Sequence, residues 1–203
     1  MIALKENYPL TPDEYLELEE TSPVKHEYIN GEIYAMAGIT DSHNTIALNL
    51  ATLIRNQLRG TNCRVYFADI KARLESKNRF YYPDLLVTCN PKDKETPTYK
   101  RFPKLIIEVL SDSTEVCDRG AKFSDYQTLD SLEEYVLVNN KTQQVEIYRR
   151  GDRPWWQYQN HTPTSPNLTL ESIQLDLTLS EVYEDITLET IIEPPSSEDI
   201  EQQ

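Results

Sequence analysis

The sequence predicts an α/β domain of the α+β kind, in which a mixed β-sheet core is flanked by helices. The first reason is that helical and strand-like patterns succeed one another along the 203 residues. The second is the run KLIIEVL at 104–110, which is apolar apart from one acid and its first lysine, and is typical of a central strand. The third is a pair of turn sequences, NG at 30–31 and NKT at 140–142, each between two strand-like runs.

The first elements along the chain are a short helix and a hairpin. Thr11 is a capping residue, Pro12 takes the first helical position and Glu14 follows three residues after the cap, so TPDEYLELEE predicts a helix with a capping box. Asn30-Gly31 between alternating runs is the commonest sequence signal for a two-residue hairpin turn. An N-terminal helix and a hairpin are therefore expected before the sheet core.

A longer helix is predicted between residues 41 and 59. Either Asp41 or Ser42 supplies its cap, and Gly60 ends it. Apolar residues recur at helical spacing in this segment, at Ile46, Leu50, Leu53, Ile54 and Leu58.

The second half of the chain is rich in predicted strands. They are CRVYFADIKARLE at 63–75, RFYYPDLLVTC at 79–89, KLIIEVL at 104–110, EEYVLVN at 133–139, QQVEIYRR at 143–150 and an edge strand in RPWWQYQN at 153–160. The first two are expected to be neighbours, because only SKN separates them. Ser111 to Thr114 end the central strand and can cap a helix through DRGAKFSDYQTL at 118–129.

The length of the chain fits one domain, which we place at residues 1–188, followed by a tail at 189–203. The tail holds five acids and no base, so we expect it to be solvated and flexible. No stretch approaches the roughly 18 to 20 apolar residues of a membrane span, and the N-terminus lacks the pattern of a signal peptide. We therefore expect no membrane association and a cytoplasmic location.

The charge balance opposes one class of function. With 34 acids against 20 bases, the formal charge is −14, which excludes binding to nucleic acid through a broadly basic surface. An enzyme acting on nucleic acid then requires its bases to gather around one cleft. Seven bases on or beside the predicted strands permit such a cleft: Lys71, Arg73, Lys77, Arg79, Lys100, Arg101 and Lys104.

The three cysteines argue against a disulfide framework and against a zinc site. Cys63, Cys89 and Cys117 are an odd number, widely spaced, with no C-x-x-C pair and no histidine at ligand spacing. We expect them to be small core or half-buried residues.

Two acids stand out because they lie in or beside apolar strands. Asp84 precedes LLV in the second predicted strand, and Glu108 lies inside KLIIEVL. A buried carboxylate is costly to leave charged and alone, so it is normally paired, protonated or bound to a cation. If the two strands are neighbours, the acids lie side by side, and oxygen ligands of this kind select hard cations such as Mg²⁺ or Mn²⁺. The plainer reading of Asp84 is a turn cap or a partner of Arg79 or Lys71.

Four segments together resemble a known family. They are HEYINGEIY at 26–34, YPD at 82–84, EVLSDST at 108–114 and DRGAKFSDY at 118–126. With a histidine at the start of the long helix and a closing strand like EEYVLVN, they are similar to a family of bacterial proteins classed as putative restriction endonucleases, in the PD-(D/E)XK nuclease superfamily. The resemblance covers about residues 10 to 150 and implies a restriction-endonuclease-like fold.

The resemblance also implies roles for individual residues. Asp84 and Glu108 would be metal ligands, with the Val109 carbonyl as a third, and the metal would be Mg²⁺ with Mn²⁺ as its substitute. The superfamily's strand lysine is replaced here by Leu110. In this family that lysine is thought to have moved to the following helix, which corresponds to Lys122.

An auxiliary acid and the partners are further expectations. The auxiliary acid from the N-terminal hairpin would be Glu27, with Glu32 as its rival. DNA is the implied substrate, although the acidic net charge opposes it. A homodimer is expected by analogy, because cleavage of a duplex needs two sites.

Several of these residues also have an ordinary structural interpretation. Lys122 lies four residues after Asp118, the spacing of a helix salt bridge. His43 is a candidate substrate contact, but a histidine at a helix start is more often solvated or packed. Arg119 is a candidate phosphate contact or a plain surface guanidinium. Trp155-Trp156 can stack on bases, cover the core or form a dimer contact.

Three functions are compatible with this reading. The first is a magnesium-dependent endodeoxyribonuclease. The second is a catalytically inactive interaction or regulatory protein that retains the nuclease fold, and intact Asp84, Glu108 and Lys122 count against it. The third is a metal-dependent hydrolase of another phosphoester. The position of the Lys122 amine discriminates between the first two: a cluster with Asp84 and Glu108 in a positive cleft supports the nuclease, whereas an amine that points into solvent favours the inactive protein.

Overall fold

The structure is a computed structural model, and it describes residues 3–4, 9–152 and 154–188. The predicted tail at 189–203 lies outside the described residues. Within them, the strands form two six-stranded mixed sheets and a two-stranded ribbon, with helices packed against them. The predicted mixed α/β class is confirmed.

The elements of the described chain are as follows. The strands are β1 (Ala3–Leu4), β2 (His26–Ile29), β3 (Glu32–Ala35), β4 (Arg64–Phe67), β5 (Lys71–Leu74), β6 (Arg79–Tyr81), β7 (Leu85–Thr88), β8 (Tyr99–Lys100), β9 (Pro103–Leu110), β10 (Glu134–Asn139), β11 (Val145–Arg150), β12 (Trp156–His161), β13 (Asn167–Leu170) and β14 (Leu175–Thr178). The helices are α1 (Pro12–Thr21), α2 (Asp41–Gln57), α3 (residues 115–126) and α4 (Leu179–Val182). α3 has three consecutive stretches: Glu115–Cys117, the π-helical Asp118–Lys122, and Phe123–Tyr126. Short 3₁₀ turns lie at Glu75–Lys77, Pro91–Lys94 and Glu171–Ile173.

The central strand β9 organises the second sheet. The strand order of the first sheet is β1-β3-β2-β6-β5-β8 and that of the second is β12-β11-β10-β9-β7-β4. β9 runs parallel to β10 and antiparallel to β7. Ile107 and Val109 pack in the core that contains α2, whereas Ile106 and Leu110 pack in the core that contains Tyr126 of α3. Both faces of β9 are therefore covered, as its apolar sequence predicts.

The N-terminal predictions hold at the level of individual turns. Thr11 and Glu14 form the capping box of α1. Asn30 and Gly31 take positive φ angles of 52° and 100° in the turn between β2 and β3, a region that glycine adopts without steric cost. The N-cap of α2 was predicted wrongly: Thr40, rather than Asp41 or Ser42, accepts a hydrogen bond from a backbone N–H in the first turn.

The two long strands predicted at 63–75 and 79–89 each divide between the two sheets. β4 and β7 pair in the second sheet, whereas β5 and β6 pair in the first. The break in the first run falls at Ala68 and Asp69, whose φ angles are 49° and 34°. The break in the second run falls at Pro83 and Asp84. This sharp passage between sheets leaves Asp84 immediately before β7, where its backbone N–H donates to Glu108 of β9.

The prediction that the cysteines form no disulfide is wrong. Cys63 and Cys89 are joined by a disulfide, and Cys117 is free. Arg64 pairs with Thr88 in the antiparallel β4–β7 ladder. Cys63 precedes Arg64 and Cys89 follows Thr88, so the two cysteines lie opposite each other. Strand register brings them together, which their spacing of 26 residues does not reveal.

The segment after β12 carries elements that the sequence analysis did not predict. β13 and β14 form the two-stranded ribbon, and α4 follows it. Their apolar side chains, Leu168, Leu177 and Val182 among them, complete the core on the side of α2. None of the helices within the described ranges is long and apolar enough to cross a membrane.

Candidate active site

Glu108 is the buried acid at the centre of the site. It lies in β9, opposite Leu137 of β10, and only 3% of its surface is exposed. Its Oε2 accepts a hydrogen bond of 3.3 Å from the Asp84 backbone N–H, and its Oε1 accepts one of 3.2 Å from the Tyr126 hydroxyl. Burial raises the pKa of Glu108 well above its usual value, and Lys122 opposes the shift only in part.

Asp84 is fixed between β7 and β9 by both of its carboxylate oxygens. Oδ2 accepts a hydrogen bond of 2.7 Å from the Val109 backbone N–H. Oδ1 lies 2.9 Å from Nε2 of His43, which α2 supplies near its first turn. Asp84 therefore pairs with His43, and the alternative partners Arg79 and Lys71 contact Asp125 and the Tyr82 hydroxyl instead.

Lys122 reaches the site from the π-helical stretch of α3. Its Nζ lies 3.0 Å from Glu27 Oε1, 3.1 Å from Asp118 Oδ1 and 3.4 Å from Glu108 Oε1, and the residue is 5% exposed. Burial alone disfavours the ammonium, but the carboxylates of Glu108, Glu27 and Asp118 outweigh it and raise the pKa of Lys122. Leu110, at the position of the superfamily's strand lysine, packs in the core. The amine thus lies beside Glu108 although it comes from the helix.

Of the two rival acids of the hairpin, Glu27 lies in the site. Its side chain is buried, and Oε1 accepts a hydrogen bond of 3.2 Å from the Tyr82 backbone N–H in addition to its contact with Lys122. Glu32 adjoins the turn, is exposed, and accepts a hydrogen bond from the Tyr34 hydroxyl. Position along the hairpin separates the two acids, because only Glu27 lies where β2 approaches α3.

The cluster carries more acid than base. Three carboxyl groups, those of Glu27, Glu108 and Asp118, surround the single ammonium of Lys122, and a fourth acid, Asp84, is joined to Glu108 through its backbone N–H. Isolated buried charge is unfavourable, so such an excess favours protonation or the binding of a cation. From the sequence alone, Asp118 was predicted only to be a helix partner of Lys122. Its spacing of four residues before Lys122 is the signal that could have found it.

The donor set fits a hard divalent cation. Asp84 and Glu108 supply carboxylate oxygens, and the Val109 carbonyl is a further oxygen at the same strand end. In the parts of the chain that the structure describes, no three His, Cys, Asp or Glu side chains are arranged to hold a metal by themselves. Mg²⁺ usually keeps several waters and takes one or two carboxylates, so this sparse set suits it better than Zn²⁺.

A pocket of about 320 Å³ opens onto these groups. Its lining includes residues 35–40, from the end of β3 to the residue before α2, and residues 111–114 and 140–141. Glu27, Asp84, Glu108 and Lys122 lie at its inner end. The predicted site residues therefore share one concave site.

The structure also bears on the two candidate substrate contacts, His43 and Arg119, and on the expected basic cleft. His43 lines the pocket, but its observed contact is Asp84. Arg119 is not among the residues that line the pocket; its guanidinium pairs with Glu115, at 2.7 Å, and with Glu146. The expectation that the seven bases named above gather around the site is wrong, because none of them lines this pocket. The lysines that line it are Lys122 and Lys141.

The mixed sheets and the acid–lysine cluster at the pocket define a domain with a nuclease-type fold. The chain belongs to the Uma2 family, whose description reads "Putative restriction endonuclease" and whose family model matches residues 12–182. It is 39% identical over 166 residues to the uncharacterized protein slr1290 of Synechocystis, covering 82% of this chain and 87% of that one. The uncharacterized protein sll1609 of the same organism is 34% identical over 149 residues, with coverages of 72% and 84%.

A solved structure shares the fold. The crystal structure of a putative nuclease belonging to DUF820 from Anabaena variabilis superposes with a TM-score of 0.70 at 20% sequence identity. The match covers 86% of this chain and 98% of that one. At this level of identity the comparison establishes the fold.

Proposed function

We propose that this protein is a magnesium-dependent endodeoxyribonuclease that hydrolyses DNA phosphodiester bonds. The observation that carries the proposal is the Lys122 amine, which lies 3.4 Å from Glu108 and lines the same open pocket as Asp84. Membership of a family described as restriction endonucleases, and the fold shared with a protein titled a putative nuclease, also support it.

Asp84, Glu108 and the Val109 carbonyl would hold Mg²⁺, and Mn²⁺ would substitute for it. When bound, such an ion polarises a phosphoryl oxygen and lowers the pKa of a bound water. The protein fixes the two carboxylates in advance, since Asp84 accepts a hydrogen bond from Val109 and donates its own backbone N–H to Glu108. Fixed ligands reduce the reorganisation needed when substrate enters.

Lys122 would stabilise the negative charge that develops on the attacked phosphate. Its raised pKa keeps the amine protonated at neutral pH, so it is a donor rather than a proton acceptor. Glu27 would orient this amine through the contact of 3.0 Å, and it is itself held by the Tyr82 backbone. His43 and Arg119 stay proposals as substrate contacts, and of the two only His43 lies in the pocket.

Manganese binding by calorimetry tests the metal site. We compare the wild type with Asp84→Asn and Glu108→Gln, and we use Glu32→Gln as the control because that acid lies outside the pocket. Circular dichroism establishes first that all four proteins are folded. Binding that is kept by Glu32→Gln and lost by both site variants supports the proposal. Equal binding by all four, with DNA or a phosphate analogue present, contradicts it.

Cleavage of DNA tests the chemistry. Wild type with Mn²⁺ is expected to cut DNA, and Lys122→Ala is expected to bind Mn²⁺ yet cut at least about a hundredfold more slowly, since one lost charge stabiliser costs about that much. Equal cutting by wild type and Lys122→Ala removes the assigned role of the lysine. The expected homodimer is a separate proposal, and light scattering of the purified chain decides it.

A further inference from the structure

The outer part of the pocket has an apolar wall beside an acidic centre. Met36 and Ile39, in the loop between β3 and α2, are 38% and 60% exposed and both line the pocket. Single exposed apolar residues are ordinary on protein surfaces. Two of them on one pocket wall, next to a buried charged cluster, instead offer contact to an apolar portion of a ligand.

Another part of the pocket lining offers hydroxyl groups. The Ser111 hydroxyl lies 3.1 Å from that of Ser113 and 3.0 Å from that of Thr114. Hydroxyl groups both donate and accept and can rotate to suit a partner. The pocket thus has an apolar side, a neutral polar side and a charged inner end, which matches the base, the sugar and the phosphate of one nucleotide.

The charges around the pocket disfavour double-stranded DNA. Lys122 is buried among carboxylates, and Lys141, at the rim, pairs with Asp112. Duplex DNA carries about one charge per 1.7 Å of its axis, and proteins normally hold it by many lysines and arginines. Affinity at this pocket must therefore come mainly from contact with a base, and a base is available only where it is unpaired.

On the basis of the proposed function, we infer that the pocket binds one unpaired nucleotide of single-stranded DNA, with its base against Met36 and Ile39. The sugar then lies toward the hydroxyl groups of residues 111–114, and the phosphate lies at the inner end beside Lys122. Methionine and isoleucine side chains contact the faces of bases in other DNA-binding proteins, where they insert between base steps and partly unstack them. A volume of about 320 Å³, at the lower end for small-ligand pockets, suits one nucleotide and not a base pair.

Fluorescence anisotropy with three labelled probes tests the inference. The probes are a single DNA strand, the same strand annealed to its complement, and an abasic strand of equal length and charge. The full chain is used as wild type, as the double variant Met36→Ala/Ile39→Ala and as the control Val24→Ala/Leu48→Ala, whose exposed apolar residues lie outside the pocket. Ca²⁺ replaces Mg²⁺ so that bound DNA is not cut.

We expect the wild type and the control to bind the single strand at least about fivefold more tightly than either other probe, the lower end of what stacking of one base on an aromatic side chain provides, since Met36 and Ile39 offer apolar contact without an aromatic ring. The loop variant should bind all three probes alike. Equal wild-type binding of the natural and abasic strands, preference for the duplex, unchanged binding by the loop variant, or no binding to any probe overturns the inference. Manganese calorimetry on the same proteins reports separately on the proposed function, since the loop variant should bind Mn²⁺ like the wild type.

Discussion

Nε2 of His43 lies 2.9 Å from Oδ1 of Asp84, and both groups line the pocket. The histidine lies at the start of α2 and the acid immediately before β7, so this contact ties the helix to the sheet. Because Val109 holds the other oxygen of Asp84, the carboxylate has one orientation. We therefore expect His43 to position Asp84 for metal binding.

Replacing His43 with alanine should weaken Mn²⁺ binding by about 10- to 100-fold, the usual cost of losing a group that orients a metal ligand. His43→Gln, whose amide can still donate to Asp84, should recover part of the loss. Calorimetry measures both affinities, and urea unfolding shows that both variants are folded under the same conditions. An affinity unchanged in His43→Ala would mean that Val109 alone orients the acid.

Lys122 balances charge as well as serving the proposed chemistry. Lys122→Met leaves Glu27, Glu108 and Asp118 without their shared cation, and losing one partner of a buried ion pair costs about 3–5 kcal/mol. Lys104→Met is the matched control, because its pair with Glu133 is partly exposed and should cost at most about 1 kcal/mol. The free energy of unfolding from urea titrations measures both changes. Similar losses in the two variants would contradict the charge-balancing role.

The parts of the fold that local chemistry determines were predictable. The capping box at Thr11 and the positive φ angles of Asn30-Gly31 depend on neighbouring residues alone, so the sequence specifies them. Glu108 could be singled out as a candidate site residue because no structural reason places an acid in a strand buried on both faces. A family resemblance was needed for Lys122, since its helical spacing from Asp118 equally fits an ordinary ion pair.

The parts that depend on long-range geometry were not predictable. Nothing in the run at 63–75 marks Ala68 and Asp69 as the bend between two sheets, because non-glycine residues rarely adopt positive φ. Cys63 and Cys89 lie opposite each other because of the register between β4 and β7. That register is set by how the two strands pair in the folded sheet, which the local sequence does not reveal. The expected basic cleft failed for the same reason: closeness to a strand in sequence does not determine which edge of the sheet a side chain reaches.

Glu108 should make stability depend on pH. Burial raises its pKa in the folded state, so above the usual carboxyl value of about 4.3 the unfolded chain releases this proton while the folded chain keeps it. The unfolded state then binds fewer protons, and this contribution to stability falls as pH rises until the folded pKa is passed. Glu108→Gln lacks the titration, so its stability relative to wild type should increase with pH across that window. Urea unfolding from mildly acidic to neutral pH measures the slope.

The control for that slope is Glu32→Gln, an exposed acid of the same protein. Its stability relative to wild type should show a much smaller dependence on pH than that of Glu108→Gln. A difference in unfolding free energy between Glu108→Gln and wild type that is the same at every pH has no bearing on the test. The amide changes the hydrogen bonds with Lys122 and Tyr126 at every pH. If the unfolding free energies of wild type and Glu108→Gln changed with pH in parallel, Glu108 would ionise normally in the folded protein.

The Cys63–Cys89 disulfide should stabilise the edge of the second sheet. It closes a loop with a sequence separation of 26 residues, and a link of that length restricts the unfolded chain by about 2–4 kcal/mol. The double variant Cys63→Ser/Cys89→Ser should therefore lose about that much unfolding free energy, whereas Cys117→Ser, at the free cysteine, should lose much less. Thiol titration of the denatured, unreduced wild type should find one free thiol. Three free thiols, together with equal stability of the double variant and wild type, would show that the two cysteines remain reduced.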